Sequence, residues 1–156
     1  MNTNNRLKST QQAGSVLLEA LIAVLIFSMG VLSVVAMQAK AVQAASDAKY
    51  RSDASLLAGE FLGQMWTSDR VNANLVANFQ GGSGADGQQY KNWIANVAAA
   101  LPGVATGLPA NTASSSSNLL PTVTIDASSV VTIVVFWKLP SDTGAAHKYT
   151  IIAQVR

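Results

Sequence analysis

Gly14-Ser15-Val16-Leu17-Leu18-Glu19-Ala20-Leu21-Ile22-Ala23-Val24-Leu25-Ile26-Phe27-Ser28 opens an apolar run that sets the architecture of the chain. From Ala20 to Ala39 there is no charged residue, and about 20 such residues suffice for a helix to cross a hydrocarbon core of about 30 Å. The composition points the same way. Of 156 residues, 49% are hydrophobic and 12% charged, against about 25% charged in an ordinary soluble domain. A membrane-anchored protein is expected and a soluble single-domain enzyme is disfavoured. The remainder of the chain, from Lys40 to Arg156, is enough for one small domain.

The residues ahead of the run, MNTNNRLKSTQQAG (1–14), are polar, free of acids and end in glycine. A secretory signal peptide carries its small-residue cleavage site after the apolar segment; here Ala44-Ala45-Ser46 is the trio that keeps that reading open. The net charge of +2 is carried by this leader: without Arg6 and Lys8 the remaining basic and acidic residues balance at eight each. No basic cluster is left to neutralise a phosphate backbone, so nucleic acid is not an expected partner. Charge does not orient the span either, because Arg6 and Lys8 on one side face Lys40, Lys49 and Arg51 on the other. There is no cysteine, which removes disulfides, thiolate metal sites and cysteine nucleophiles.

Glu19 is the one carboxylate in the apolar region. Near the end of a membrane span it is either a functional charge with a partner or an interfacial residue favoured by the positive end of the helix macrodipole. Cutting the chain after Gly14 would supply a partner. The new amino group of Ser15 would lie one helical turn from Glu19, or would reach Glu19 of a neighbouring subunit in a bundle, each charge neutralising the other in apolar surroundings.

The short basic leader, the terminal glycine, the apolar segment and an acid at the spacing of Glu19 from Gly14 resemble the class III signal of type IV pilins and type II secretion pseudopilins. The segment is most similar to minor pilins of the PilV type, the type IV pilus modification proteins. The resemblance implies cleavage between Gly14 and Ser15 by prepilin peptidase, N-methylation at Ser15 and an assembly role for Glu19. It also implies insertion in the inner membrane with the leader cytoplasmic and the head periplasmic, followed by packing with other minor and major pilins into a fibre or its tip. Family members mostly have Phe where Ser15 stands. Major pilins usually carry a proline about where Gly30 to Ala36 lie; its absence from Ser15–Trp66 favours a minor pilin. Two alternatives share parts of this pattern: a minor pseudopilin of a type II secretion system, and a signal-anchored periplasmic binding protein that never assembles.

The expected organisation is a leader (1–14), a transmembrane and assembly half of a long helix (15–39), an amphipathic half (40–66) and a globular head (67–156). Helix propensity is sustained from Gln38 to Trp66. Val42, Ala45, Ala48, Leu56, Leu57, Phe61 and Met65 form the apolar stripe. From Ser15 the helix would run for about 52 residues, about 78 Å, with Gly30, Gly59 and Gly63 as points where it can bend. Gly81–Gly87 reads as a flexible loop; it lacks the preceding strand and following Lys-Ser/Thr of a phosphate-binding loop. One short extra helix is expected from Gln88 to Leu101, with Trp93, Ile94, Val97 and Leu101 on one face and Pro102-Gly103 as its stop. Thr106–Asn118, with Ser114–Ser117, reads as a surface spacer and a possible site of serine glycosylation.

Three strands are expected beyond this spacer: Thr122–Asp126, Val130–Leu139 and Lys148–Val155, with turns at Asp126–Ser129 and Ser141–Gly144. The fold class is therefore α+β. An antiparallel three-stranded meander packs on the amphipathic half of the long helix, pilin-like in outline, with Val131, Ile133, Val135 and Trp137 facing the helix. Trp66, Trp93 and Trp137 are assigned to a shared core. For chemistry the head offers little. His147 is the only histidine, and the acids from Thr67 onward are Asp69, Asp86, Asp126 and Asp142, with no close pair for acid–base catalysis. Asp142 alone is weak support for a calcium site of the kind some pseudopilins have. No enzymatic activity, cofactor or metal is expected.

Overall fold

The computed structural model describes residues 13–106, 119–140 and 142–156. The chain divides into two compact units, one ending at Ala45 and the other comprising Ser46–Arg156. Helix α1 (Ala13–Thr67) supplies the first unit with its apolar helix and the second with its longest element. The helical assignment continues through Gly30, Gly59 and Gly63. Each stands in open space, where a glycine costs backbone entropy without breaking the hydrogen-bond ladder.

In the second unit α1 is joined by α2 (Asn72–Phe79), α3 (Gln88–Ala100), β1 (Thr122–Ile125), β2 (Val130–Trp137) and β3 (His147–Gln154). The sheet is an antiparallel meander in the order β1-β2-β3, with Val123 opposite Ile133 and Trp137 opposite His147. The alternation that the sequence predicts is realised. Val131, Ile133, Val135 and Trp137 are buried, and on β3 Tyr149, Ile151 and Ala153 face the same core. Burial on one face fixes the register, because a one-residue slip would turn that row outward.

The core stripe of α1 is Ala54, Ala58, Phe61, Leu62 and Met65, flanked by Tyr50 and Leu57. This corrects the predicted stripe: Leu56 is 71% exposed, and Ala48 also faces outward. Positions 54, 58, 61, 62 and 65 keep the three- and four-residue steps of one helix face, and Leu56 lies across from them. Two alanines in the stripe let α1 approach its neighbours closely. Trp93 (3% exposed) and Trp137 (2%) belong to the core as expected, but Trp66 is 53% exposed and does not. It comes one position after Met65 and is rotated about 100° off the buried face.

Among its described residues the head has two short helices, where the sequence predicts one. α2 is the addition; it buries Leu75 and Phe79, four residues apart, and sets Phe79 edge-on to Phe61 at 5.5 Å. Gly81–Gly87, expected to be a flexible loop, is anchored at both ends, while Ser83–Ala85 between them is exposed. Gly81 bridges to Val123 by two backbone hydrogen bonds, Gly82 donates to the Asp86 carboxylate at 2.8 Å, and Gly81 and Gly87 are buried. Tyr90 lies beneath Gly81 and donates its hydroxyl to the Pro121 carbonyl at 2.6 Å. Burial, and secondarily the charge of Asp86, pushes its phenol above the ordinary range. The leader through residue 12 and the serine-rich segment 107–118, read as a surface spacer, lie outside the described residues, as does Ser141.

Candidate functional site

The first unit presents an apolar helix with none of its described side chains buried. Val16, Leu17, Leu18, Leu21, Phe27 and Met37 are among more than a dozen large apolar residues exposed along it. Its most apolar 18-residue window has a mean hydropathy of 2.6 and no burial, which makes it long and apolar enough to cross a membrane. A helix that is apolar all round requires lipid or other helices around it. The hydroxyls of Ser28 and Ser33 are satisfied within the helix. Ser28 Oγ donates to the Val24 carbonyl at 2.7 Å and Ser33 Oγ to Met29 at 2.9 Å, the arrangement that makes serine tolerable where no water is available.

Gly14, Ser15 and Glu19 all lie on the first turns of α1 and are exposed. Ser15 and Glu19 are four residues apart on a continuous helix, so they share a face one turn apart. Glu19 is the one charged residue between Ser15 and Ala39. A methyl group added at Gly14 would meet nothing within 4 Å, so packing within the chain does not require glycine there. Ala44, Ala45 and Ser46 sit in the interior of α1.

The head holds no comparable concentration of chemistry. Among the described residues no group of three His, Asp or Glu side chains is placed to hold a metal ion. Asp142 Oδ2 lies 3.0 Å from His147 Nε2, and Asp47 Oδ1 lies 3.3 Å from His147 Nδ1. Both ring nitrogens therefore face carboxylates, and among the described residues neither has a hydroxyl partner. Asp126 closes the β1–β2 turn, its Oδ1 accepting from the amides of Ser128 and Val130, each at 2.8 Å. Asp69 accepts from the Val71 amide and the Asn74 side chain just before α2. Those two hydrogen bonds, the backbone one first, hold its carboxyl below the ordinary range. Asp47 in the His147 contact is the functional-group partner that sequence reasoning missed. It lies about a hundred residues away on α1, and no local spacing signals it.

The chain matches no family model, no curated protein and no solved structure.

Proposed function

We propose that the protein is a minor pilin: a non-catalytic subunit that prepilin peptidase cleaves between Gly14 and Ser15 and that is then built, with other minor and major pilins, into a type IV pilus or the complex that primes it. The observation that carries this reading is the position of Glu19. It is a lone carboxylate one turn from Ser15 on an exposed apolar helix, directly after a short basic leader ending in glycine. An unpaired carboxylate in that setting is costly, and the amine that cleavage creates is the cation that would offset it. In this reading α1 holds the subunit in the inner membrane with its head in the periplasm until assembly.

The test is the intact mass of the protein recovered from membranes, with and without Gly14→Ala. Loss of residues 1–14 that the substitution blocks is the expected result. An uncut chain retaining Met1 would make the protein a membrane anchor and overturn the assembly reading. A deletion strain then separates the two kinds of fibre: loss of pili or twitching is expected here, whereas loss of enzyme secretion would assign the subunit to a type II pseudopilus.

A further inference from the structure

His147 stands opposite Trp137 in the β2–β3 register, and its ring stacks on the indole with centroids 5.6 Å apart and planes 15° apart. This fixes the plane of the imidazole and aims its nitrogens at two carboxylates from different parts of the chain. Nε2 meets Asp142 Oδ2 at 3.0 Å on the connection between β2 and β3, and Nδ1 meets Asp47 Oδ1 at 3.3 Å on α1. A neutral imidazole has one N–H and one lone pair, so in either tautomer it can donate to one of these carboxylates and must oppose the other. With both nitrogens protonated the two contacts are attractive together.

Two further observations favour the same state. Asp47 Oδ1 is shielded from solvent, although the side chain as a whole is 42% exposed, and among the described residues it has no hydrogen-bond partner beyond this ion pair, so a facing cation favours its charged form. The indole beneath the ring also attracts a cation more than a neutral imidazole.

We infer that doubly protonated His147 clasps Asp47 of α1 to Asp142 of the β2–β3 connection, and that loss of one proton releases the clasp. The groups facing the ring are Asp47 from α1, Asp142 from the connection and the uncharged Trp137 from β2. Lys148, its neighbour on β3, is exposed on the alternate side of the strand. An imidazole changes charge between about pH 5 and 8, so the device would respond to pH changes within that range. It does not depend on assembly into a fibre.

His147 is the only histidine, so ¹⁵N-histidine labelling of the full chain in detergent micelles reports one imidazole. In the closed clasp both ring nitrogens should carry protons. Amide exchange over Asp142–Ala146, corrected for intrinsic chemistry, should be about threefold to fivefold faster at about pH 8 than at about pH 5.5. His147→Gln and Asp47→Asn should each bring that ratio close to one. A neutral single-tautomer ring in the clasped state, or a wild-type ratio retained in either variant, overturns the inference.

Discussion

The indole N–H of Trp93 on α3 donates to the backbone carbonyl of Leu57 on α1 at 3.0 Å, while its ring stacks on Phe61 with centroids 4.6 Å apart. One side chain thus ties α3 to α1 by a hydrogen bond and a ring contact. Trp93→Phe keeps most of the apolar contact and removes the donor, which should cost about 0.5–1.5 kcal/mol. Trp93→Ala should cost about 3–5 kcal/mol, because it also leaves a cavity against Phe61. Thermal melting of the full chain in detergent, monitored by near-ultraviolet circular dichroism, reads both.

Gly87 and Gly63 should respond to alanine with opposite signs. A Cβ on Gly87 would collide with the Asn78 carbonyl, part of the α2 backbone that cannot step aside cheaply. Gly87→Ala should therefore destabilise by about 1–3 kcal/mol. At Gly63, within α1, nothing lies within 4 Å, so alanine there should stabilise by about 0.5–1 kcal/mol through the lower entropy of its unfolded chain. The same melting measurement decides both; equal responses would show that the contact at Asn78 is not tight in solution.

The turn at Asp126 offers a separate test of local chemistry. Ser129 adopts a left-handed φ of 57°, and Asp126 Oδ1 holds the amides on either side of it. Asn72 on α2 donates to the Asp126 carbonyl at 2.7 Å and to Ser129 Oγ at 3.1 Å, so the turn also anchors the start of α2. Asp126→Ala should cost about 1–2 kcal/mol, and Asp126→Asn, which keeps an acceptor oxygen, clearly less. Exchange of the Ser128 and Val130 amides should rise in the alanine variant first.

The sheet was legible because its strands alternate: Tyr149, Ile151 and Ala153 announce one face, and the row Val131 to Trp137 announces a central strand. The α1 stripe was legible at Leu57, Phe61 and Met65 but not at Leu56. Reading by side-chain size selects Leu56, whereas the surface that packs uses Ala54 and Ala58, whose small volume is what permits the contact. α2 was missed because eight residues containing three asparagines carry little intrinsic helix preference. Such a helix exists by virtue of the burial of Leu75 and Phe79, and its one local clue was Asp69 ahead of it. The glycines of 81–87 read as freedom when three of them, Gly81, Gly82 and Gly87, serve close approach, a distinction that depends on Tyr90, Pro121 and Asn78 being present on the other side. The candidate site at Gly14, Ser15 and Glu19 was legible as a linear pattern, whereas the His147 contacts depend on tertiary structure.

Asp69 gives a pH dependence with a defined sign. Its folded carboxyl is held below the ordinary range by the Val71 amide and then by the Asn74 amide. The stabilisation is therefore present above the ordinary aspartate range and is lost as the pH falls through the lowered folded value. In an NMR titration the Asp69 carboxyl should protonate at a lower pH than that of Asp69 in an unfolded peptide. Asn74→Ala should move it part of the way back, and Val71→Pro, which removes the amide that contributes most, should move it further. A wild-type carboxyl that titrates like the peptide would show that these hydrogen bonds do not persist in solution.

Glu19 carries the most direct prediction for function. If its charge is met by the amine of Ser15 during packing between subunits, removing the carboxylate leaves that amine unpaired in an apolar bundle. The cost should appear in assembly and not in processing. With the proposed cleavage at Gly14 in the wild type, Glu19→Ala and Glu19→Gln should both be cleaved there too, and the glutamine variant, which keeps size and polarity, should fail in assembly nearly as badly as alanine. Both should fall by about tenfold or more in their proportion to the major subunit in sheared fibres, because an uncompensated buried charge costs several kcal/mol. Mass spectrometry of processed protein in membranes and quantitative immunoblotting of fibres separate the two steps. Normal incorporation of the glutamine variant would remove the charge pairing and leave Glu19 an interfacial residue at a helix start.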